Sequence, residues 1–328
     1  MKMKFGIIGT GSIAMKFAVA CAMTEEAEAY AVSSRSLEKA RAFAGAHGVR
    51  KAYEGAQEMV RDTEIDCIYV ATPHPLHFEN CLLALNHGKS VLCEKPMVMN
   101  RREAETLFAL AKEKGLFLME GMWSRFLPNT QRVMGWLAAG EIGDVKFIDM
   151  QFSFSVDMEN PKPRLVLPEF GGGSMYDLGV YTVEMASWYA GANPEAYEGY
   201  CTDFMPNSDG TAVMALRYPG GILATMRTGI ACEAPCRATI LGTKGRIEID
   251  KFYLAQEVRL LREESLVEKC AADYDVPEGL TWQLKAVCGY LRDGVGESGV
   301  VPARDTIATA EVLGTMMKRF YPDYYGNN

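Results

Sequence analysis

Lys4-Phe5-Gly6-Ile7-Ile8-Gly9-Thr10-Gly11-Ser12-Ile13-Ala14 is the stretch whose reading decides the fold. Phe5, Ile7 and Ile8 form the apolar run of a short buried strand. Residues 13–20 then bring helix formers, with an apolar side chain every three or four positions. A strand, a glycine turn and a helix in that order set the helix N-terminus beside the turn. Its exposed N–H groups and positive dipole end then face a pyrophosphate. Gly9 permits the tight turn, Gly11 lets the backbone approach the phosphates, and Ala14 stands where a third glycine would, small enough for close helix–strand packing. Thr10, Ser12 and Ile13 complete this phosphate-facing loop. Glycine turns also join strands to helices for packing reasons alone, so the βαβ context of the next hundred residues has to support a dinucleotide site.

That context is a repeated alternation. Residues 29–33, 65–71, 90–94 and 117–120 read as strands, and 37–46, 53–61 and 78–87 as helices. Alternation of this kind implies right-handed crossovers and a parallel sheet, with ligands outside the carboxyl ends of its strands. Segments 9–14, 34–36, 72–77 and 94–96 all fall at that edge. Where an NAD enzyme of this architecture holds the ribose 2′-hydroxyl with a carboxylate, no Asp or Glu occurs between Ala29 and Leu37. Ser34 and Ser36 offer hydroxyls, and Arg35 offers a guanidinium suited to a 2′-phosphate. The plain alternative for Arg35 is a solvated surface turn. The missing carboxylate and the present cation together favour NADP(H) over NAD.

Beyond about residue 121 the rhythm changes. Stretches 144–154, 211–217, 221–228, 238–241 and 246–249 are β-rich and joined by turns such as Pro219-Gly220-Gly221 and Gly242-Thr243-Lys244-Gly245. Such short connections suit an antiparallel sheet. Helices are expected at 131–139, 173–190, 280–292 and 306–318. The division is therefore 1–121 for the dinucleotide and 122–328 for the rest.

A length of 328 residues is enough for two cores. The net charge of −8, without any basic run, speaks against a nucleic-acid face. Lys2, Lys4, an apolar stretch and Ala20-Cys21-Ala22 imitate a secretory signal, but Gly6, Gly9, Gly11 and Lys16 interrupt it. The strand–turn–helix reading uses each of those residues, so the signal is rejected. No apolar run approaches the length of a membrane span. Nine cysteines are scattered, and Cys232 and Cys236 lack a second pair for zinc. Reduced thiols packed as small hydrophobes, and a cytoplasmic location, are expected. His74 and His77 share a loop without a third ligand at suitable spacing, so no metal is expected.

Five motifs recur in order: Gly9-Thr-Gly11-Ser-Ile-Ala14, Ala71-Thr-Pro-His-Pro-Leu-His77, Glu94-Lys95-Pro96, Glu120-Gly-Met-Trp-Ser-Arg-Phe126 and Gly171-Gly-Gly-Ser-Met-Tyr-Asp177-Leu-Gly-Val-Tyr181. With Leu241-Gly-Thr-Lys-Gly-Arg-Ile247, the chain resembles the glucose-fructose oxidoreductase / inositol dehydrogenase (Gfo/Idh/MocA) family over most of its length. It is most similar to the branch holding dimeric dihydrodiol dehydrogenase and NADP-dependent xylose dehydrogenase. The resemblance implies an α/β chain: an N-terminal Rossmann-fold parallel sheet, then an α+β domain with an open, mainly antiparallel sheet. The outer face of that sheet often mediates dimerisation, so a homodimer or higher homo-oligomer is implied. It also implies cofactor contacts from Thr72, Pro73, His74, His77, Glu94, Lys95, Trp123 and Arg125. Trp123 and Phe154, with Asp177 and Tyr181, would line the substrate pocket. His74 lies where many members have Asn, and Gly121 where this branch often has Ala.

The chemistry of these residues agrees with that picture. Lys95 leaves a buried strand and precedes Pro96, which holds it extended. An ammonium there would polarise a carbonyl and stabilise developing alkoxide charge. Asp177 and Tyr181 are four apart and share a helix face. Tyr181 would pass a proton to or from the substrate oxygen, its phenol pKa lowered by a nearby ammonium. Ser174-x-x-Asp177 is also a capping-box pattern, so Asp177 has two readings, a site residue or a cap. Phe152 and Phe154, at period two, also read as core. The expected activity is hydride transfer between NADP(H) and a C–OH/C=O carbon of a sugar or cyclic polyol. The alternatives are an anhydro- or keto-sugar reductase using the same residues, and a non-catalytic NADP sensor.

Overall fold

The computed structural model describes residues 2–157 and 159–326. The chain forms two compact units. The first takes residues up to Val98, then Arg102–Trp123 and Asp275–Ala303. Its strands are β1 (Met3–Ile8), β2 (Ala27–Ser34), β3 (Lys51–Glu54), β4 (Cys67–Val70), β5 (Ser90–Cys93) and β6 (Leu118–Glu120). All pair in parallel, in the order β3-β2-β1-β4-β5-β6. The helices that alternate with them are α1 (Ser12–Ala22), α2 (Leu37–His47), α3 (Ala56–Met59), α4 (His77–Asn86) and α5 (Arg101–Lys114). Phe5, Ile7, Ile68, Val70, Val91 and Leu92 are wholly buried, as strands covered on both faces must be. The chain reverses its direction of travel across the sheet between β1 and β4, the switch point where ligands bind in such sheets.

The second unit carries α6 (Pro128–Ala138), β7 (Val145–Ser153), α7 (Pro163–Val166), α8 (Val180–Ala190), β8 (Ala196–Met205), β9 (Ser208–Arg217), β10 (Leu223–Gly229), β11 (Arg237–Gly242), β12 (Arg246–Asp250), β13 (Glu257–Arg262) and β14 (Ser265–Ala271). The chain then runs through α9 (Val276–Arg292) back in the first unit, and through α10 (Ala303–Phe320) and α11 (Pro322–Tyr325) in the second. The eight strands lie in the order β14-β13-β12-β11-β7-β10-β9-β8. Every pairing is antiparallel except β7 with β10. One face buries Ile148, Met150, Met214, Met226, Ile240, Ile247, Ile249, Val258 and Leu260, with α8 packed on β7 and β10 and α6 on β13. The alternate residues face outward, as the period of two requires.

Several elements differ from the sequence reading. Residues 53–61, expected as one helix, split into β3, a bend and the single-turn α3, because Lys51–Glu54 completes the sheet edge beside β2. Strands β8, β13 and β14 are additional to the expected ones, and the 173–190 helix opens with a π turn, Met175–Gly179. The sequence suggests one boundary, after residue 121. The contacts place α9 in the first unit, where its buried Leu280, Leu284, Val287 and Cys288 form an apolar stripe and the helix packs on α1. None of the nine cysteines is in a disulfide. No helix among the described residues is long and apolar enough to cross a membrane.

Candidate active site

In the first unit the expected cofactor residues gather at the carboxyl ends of β1, β2, β4 and β5. Gly9 has φ +117°, and a Cβ there would lie 2.5 Å from the Ala71 carbonyl at the end of β4, so only glycine fits. Gly11 differs: nothing lies within 4 Å of its Cβ position, and it and Ser12 are exposed. Helix α1 starts there with no side-chain cap and no acidic residue in its first turn. Its leading amides therefore have no intrahelical acceptor and face no competing carboxylate from that turn. Thr10 and Ile13 are half-buried beside them, and Ala14 is fully buried in the helix packing.

At the end of β2, Ser34 is half-buried and Arg35 exposed, with no ion-pair partner for Arg35 among the described residues. Ser36 serves α2, its hydroxyl accepting the Lys39 N–H at 3.4 Å. After β4, Thr72 and Pro73 lead into a 3-10 turn at His74–Leu76. His74 is buried. His77 is wholly buried, its Nδ1 2.8 Å from the Pro96 carbonyl and its Nε2 2.7 Å from the Thr72 carbonyl. Burial pushes the His77 pKa down, and the two carbonyl acceptors oppose that shift. The imidazole thus ties the loop after β4 to the turn after β5.

That turn contains Glu94, Lys95 and Pro96, the Lys95–Pro96 peptide being cis. Glu94 is buried and accepts a hydrogen bond from the Tyr69 phenol. Tyr69 stacks on Phe17 of α1, with centroids 3.7 Å apart and planes at 11°. Burial raises the Glu94 pKa, against the pull of the phenol and of Lys95. From β6, Glu120 accepts the Met97 N–H at 2.7 Å, and the Gly121 N–H donates to the Cys93 carbonyl at 2.6 Å. A Cβ on Gly121 would meet that same carbonyl at 3.1 Å, a tight contact. Lys95 itself is half-buried.

In the second unit Asp177 and Tyr181 are both buried. Asp177 lies inside the π turn, a feature that often marks functional sites. Its Oδ1 is 3.6 Å from the guanidinium of Arg164. Ser174 does not make the capping-box bond that the sequence allows. Its hydroxyl donates instead to Asp209 Oδ2 at 2.5 Å, because β9 brings that carboxylate to the head of the helix. Tyr181 packs edge-on against Phe152 at 5.6 Å and against Tyr253 at 6.4 Å, and those two rings stack on each other at 4.8 Å. Phe154, expected at the pocket wall, is half-buried just beyond the end of β7. The rings that neighbour Tyr181 are Phe152 and Tyr253. From sequence Phe152 reads only as core, and Tyr253 does not stand out; its one local signal is an aromatic pair, Phe252-Tyr253, just past β12.

Trp123, in the 3-10 turn Trp123–Phe126, is buried. Arg125, expected at the cofactor, is committed elsewhere. Its side chain has no exposure and meets Asp305 at 2.7 Å, the Glu184 carbonyl at 2.7 Å and the Glu184 carboxylate at 3.5 Å, beneath the Trp188 ring. The guanidinium is a strut between α8 and α10. Among the described residues no three metal-ligating side chains cluster.

Residues 3–122 match the profile of the GFO/IDH/MocA oxidoreductase family with its NAD-binding Rossmann fold, and residues 130–248 match the GFO/IDH/MocA C-terminal domain. Trans-1,2-dihydrobenzene-1,2-diol dehydrogenase of Mus musculus is 34% identical over 320 residues, covering 95% of each chain. The chain belongs to the GFO/IDH/MocA family. Among solved structures, the GFO/IDH/MocA chain resembles KijD10, a 3-ketoreductase from Actinomadura kijaniata crystallised with NADP, at 25% identity. That match covers 95% of this chain and 96% of the other, with a TM-score of 0.80. An aldose-aldose oxidoreductase from Caulobacter crescentus shares the fold at 24% identity, with a TM-score of 0.85 over 98% of both chains. The expected α/β class, a Rossmann sheet followed by a mainly antiparallel one, is the fold observed.

Proposed function

We propose that this GFO/IDH/MocA member is an NADP(H)-dependent dehydrogenase of sugars or cyclic diols. The residues present fit the cofactor: Gly11 leaves open space at the head of α1, and Arg35 has no ion-pair partner among the described residues, with no carboxylate competing in its turn. Ser34 and Arg35 would take the 2′-phosphate, and Gly9 to Ile13 the pyrophosphate. Thr72, Pro73, His74, His77, Glu94 and Trp123 would shape the nicotinamide end. When bound, the nicotinamide supplies or accepts the hydride. The protein's own part is the proton and the charge. In the oxidative direction Tyr181 takes the proton of the substrate hydroxyl, and the Lys95 ammonium stabilises the oxygen as it becomes anionic. Asp177 orients the substrate through a hydroxyl. In the reductive direction Tyr181 returns the proton. Residues 1–121, joined by Trp123 and by Asp275–Ala303 of the same compact unit, would thus serve the cofactor, and the remainder of 122–328 the substrate and self-association.

The observation that carries this reading is the setting of Tyr181. Its phenol stands among Phe152 and Tyr253, flat apolar faces suited to the C–H face of a ring bearing hydroxyls. The likeness to a dihydrodiol dehydrogenase supports the same substrate class. The likeness to a 3-ketoreductase favours a second reading, keto-sugar reduction with the same residues. The joint presence of Lys95, Asp177 and Tyr181 speaks against a non-catalytic sensor.

The outer face of the eight-stranded sheet supports a homodimer or higher homo-oligomer. Tyr200, 81% exposed, and Val213, paired opposite it, line a depression of about 490 Å³, and Leu223 on β10 is half exposed. The neighbouring β12–β13 region is instead covered by ion pairs among Arg246, Glu248, Asp250, Glu257 and Arg259. The unpaired thiols fit a reducing, cytoplasmic setting.

The test is a panel of aldoses, inositols, dihydrodiols and keto-sugars assayed with NADP and with NADPH, for the parent and for Tyr181→Phe. The variant should lose about 10²–10⁴-fold in kcat and keep its NADPH affinity. Turnover near the parent rate would remove Tyr181 from the proton step. Cofactor binding without any absorbance change across the panel would favour the sensor.

A further inference from the structure

Asp209 is the second residue of β9, far from Asp177 in sequence, and it is completely buried. Its Oδ2 accepts the Ser174 hydroxyl at 2.5 Å and the Met175 N–H at 3.0 Å. Since Ser174 spends its one proton on the carboxylate, the Thr228 hydroxyl, 2.8 Å away on β10, donates to Ser174 in turn. Oδ1 has no hydrogen-bond partner among the described residues. The backbone makes room for it: Gly173 has φ +107°, and a Cβ there would lie 2.4 Å from Oδ1. The last glycine of the Gly171-Gly172-Gly173 run therefore admits a carboxylate of this chain. A buried anion thus sits where the first amides of the helix have no intrahelical acceptor and the dipole is positive. Asp177 and Tyr181 lie one and two turns further along the same helix.

We propose that Asp209 is a positioning residue that sets the start, and so the register, of the π turn and helix carrying Asp177 and Tyr181. This rests on the site roles proposed for those two residues. A shift of about 1 Å at a catalytic group costs roughly 10²-fold in rate, so a residue that fixes a helix start acts on catalysis without touching substrate.

The carboxyl is also tuned. Burial pushes its pKa up to about 6, against the bonds from Ser174 and Met175. The titratable groups around it are Cys201 on β8, Tyr321 after α10 and Tyr325 on α11, with Asp203 hydrogen-bonded by Tyr321. Burial raises the pKa of Cys201, Tyr321 and Tyr325, so all three stay neutral near pH 6. Asp209 is then the group that ionises as pH rises through about 6. The anion is the stronger acceptor for the helix amides, so activity should rise with it.

Asp209→Asn tests this with an isostere whose amide nitrogen can occupy the unpartnered Oδ1 side. The expected result at pH 8 is a loss of about tenfold in kcat, unchanged NADPH affinity, and absence of the acid limb near pH 6 expected of the parent. Hydrogen exchange at the Met175 amide should quicken. In a Tyr181→Phe/Asp177→Asn background the same change should cost little further rate, since its effect runs through those two side chains. Ser174→Ala should give a weaker effect in the same direction. If Asp209→Asn keeps the parent rate and acid limb while Tyr181→Phe is slow, the proposal is wrong and the site reading stands. If Asp209→Asn costs as much in the Tyr181→Phe/Asp177→Asn background as in the parent, Asp209 is merely structural. If Tyr181→Phe itself runs at the parent rate, the Tyr181 reading falls. The proposal then survives only if Met175 exchange still quickens and Asp209→Asn adds nothing to Asp177→Asn.

Discussion

Replacing Arg125 by Met keeps most of the side-chain volume and removes a charge that has no access to water. The guanidinium has zero exposure, Glu184 has zero, and Asp305 has 11%. Truncating one partner of a buried pair costs about 3–5 kcal/mol, because the remaining carboxylates keep their desolvation penalty and lose their counter-charge. For a unit of this size each kcal/mol moves Tm by about 2–4 °C, so Arg125→Met should lower it by roughly 6–20 °C. Adding Asp305→Asn should recover part of that loss, as one orphaned charge disappears. Differential scanning calorimetry measures the shift, and fluorescence titration with NADPH should give a dissociation constant within about twofold of the parent's. A Tm within a degree or two of the parent, paired with tenfold weaker NADPH binding, would refute the strut and return Arg125 to the cofactor.

Arg35→Ala should erode the preference for NADP over NAD by roughly ten- to a hundredfold, mainly through KM, the value of one charge-assisted contact; equal use of both cofactors by the parent enzyme would contradict the 2′-phosphate assignment. Alanine at Gly9 and at Gly11 should behave differently. The first has φ +117° and a carbonyl 2.5 Å from the new Cβ, so it should cost at least about 1–3 kcal/mol in chemical denaturation. The second meets no protein atom, so it should leave stability alone and weaken NADPH binding, and a reversed pattern would overturn the reading of this turn. Tyr200→Glu puts a charge on the exposed part of the outer sheet face and should shift light scattering toward the mass of a single chain; a parent already monomeric at micromolar concentration would remove that interface.

The first unit is legible in the sequence because its strands are short runs of fully buried residues and its helices are periodic. The exception, β3, is four residues long and half exposed, and Tyr53 followed by Ala56, Met59 and Val60 imitates a helical period. In the second unit, β8 mixes Gly199 and charged residues with its apolar ones, and β14 has almost no buried side chain, so neither shows a clean period of two. The parallel pairing of β7 with β10 depends on a partner more than seventy residues away. Lys95, Asp177 and Tyr181 are visible through motifs. Asp209 and Tyr253 are not, because each acts on its helix or ring from another strand or loop, and local spacing carries no trace of that. The Ser174-x-x-Asp177 pattern misleads for the same reason: a carboxylate thirty-five residues on outcompetes the local cap. Arg125 sits inside a motif that predicts proximity to a ligand, and its burial between α8 and α10 is a property of the fold.

The excursion of α9 back to the first unit has a consequence for how this molecule can be taken apart. A fragment ending near residue 121 would lack the helix that covers α1, leaving a stripe of apolar surface under the dinucleotide turn open to water. The complementary fragment would carry α9 with Leu280, Leu284 and Val287 and nothing to bury them against. Neither half is a cassette. A chimera that exchanges substrate specificity between relatives must splice at three places, keeping Asp275–Ala303 with the nucleotide half from which it is separated in sequence.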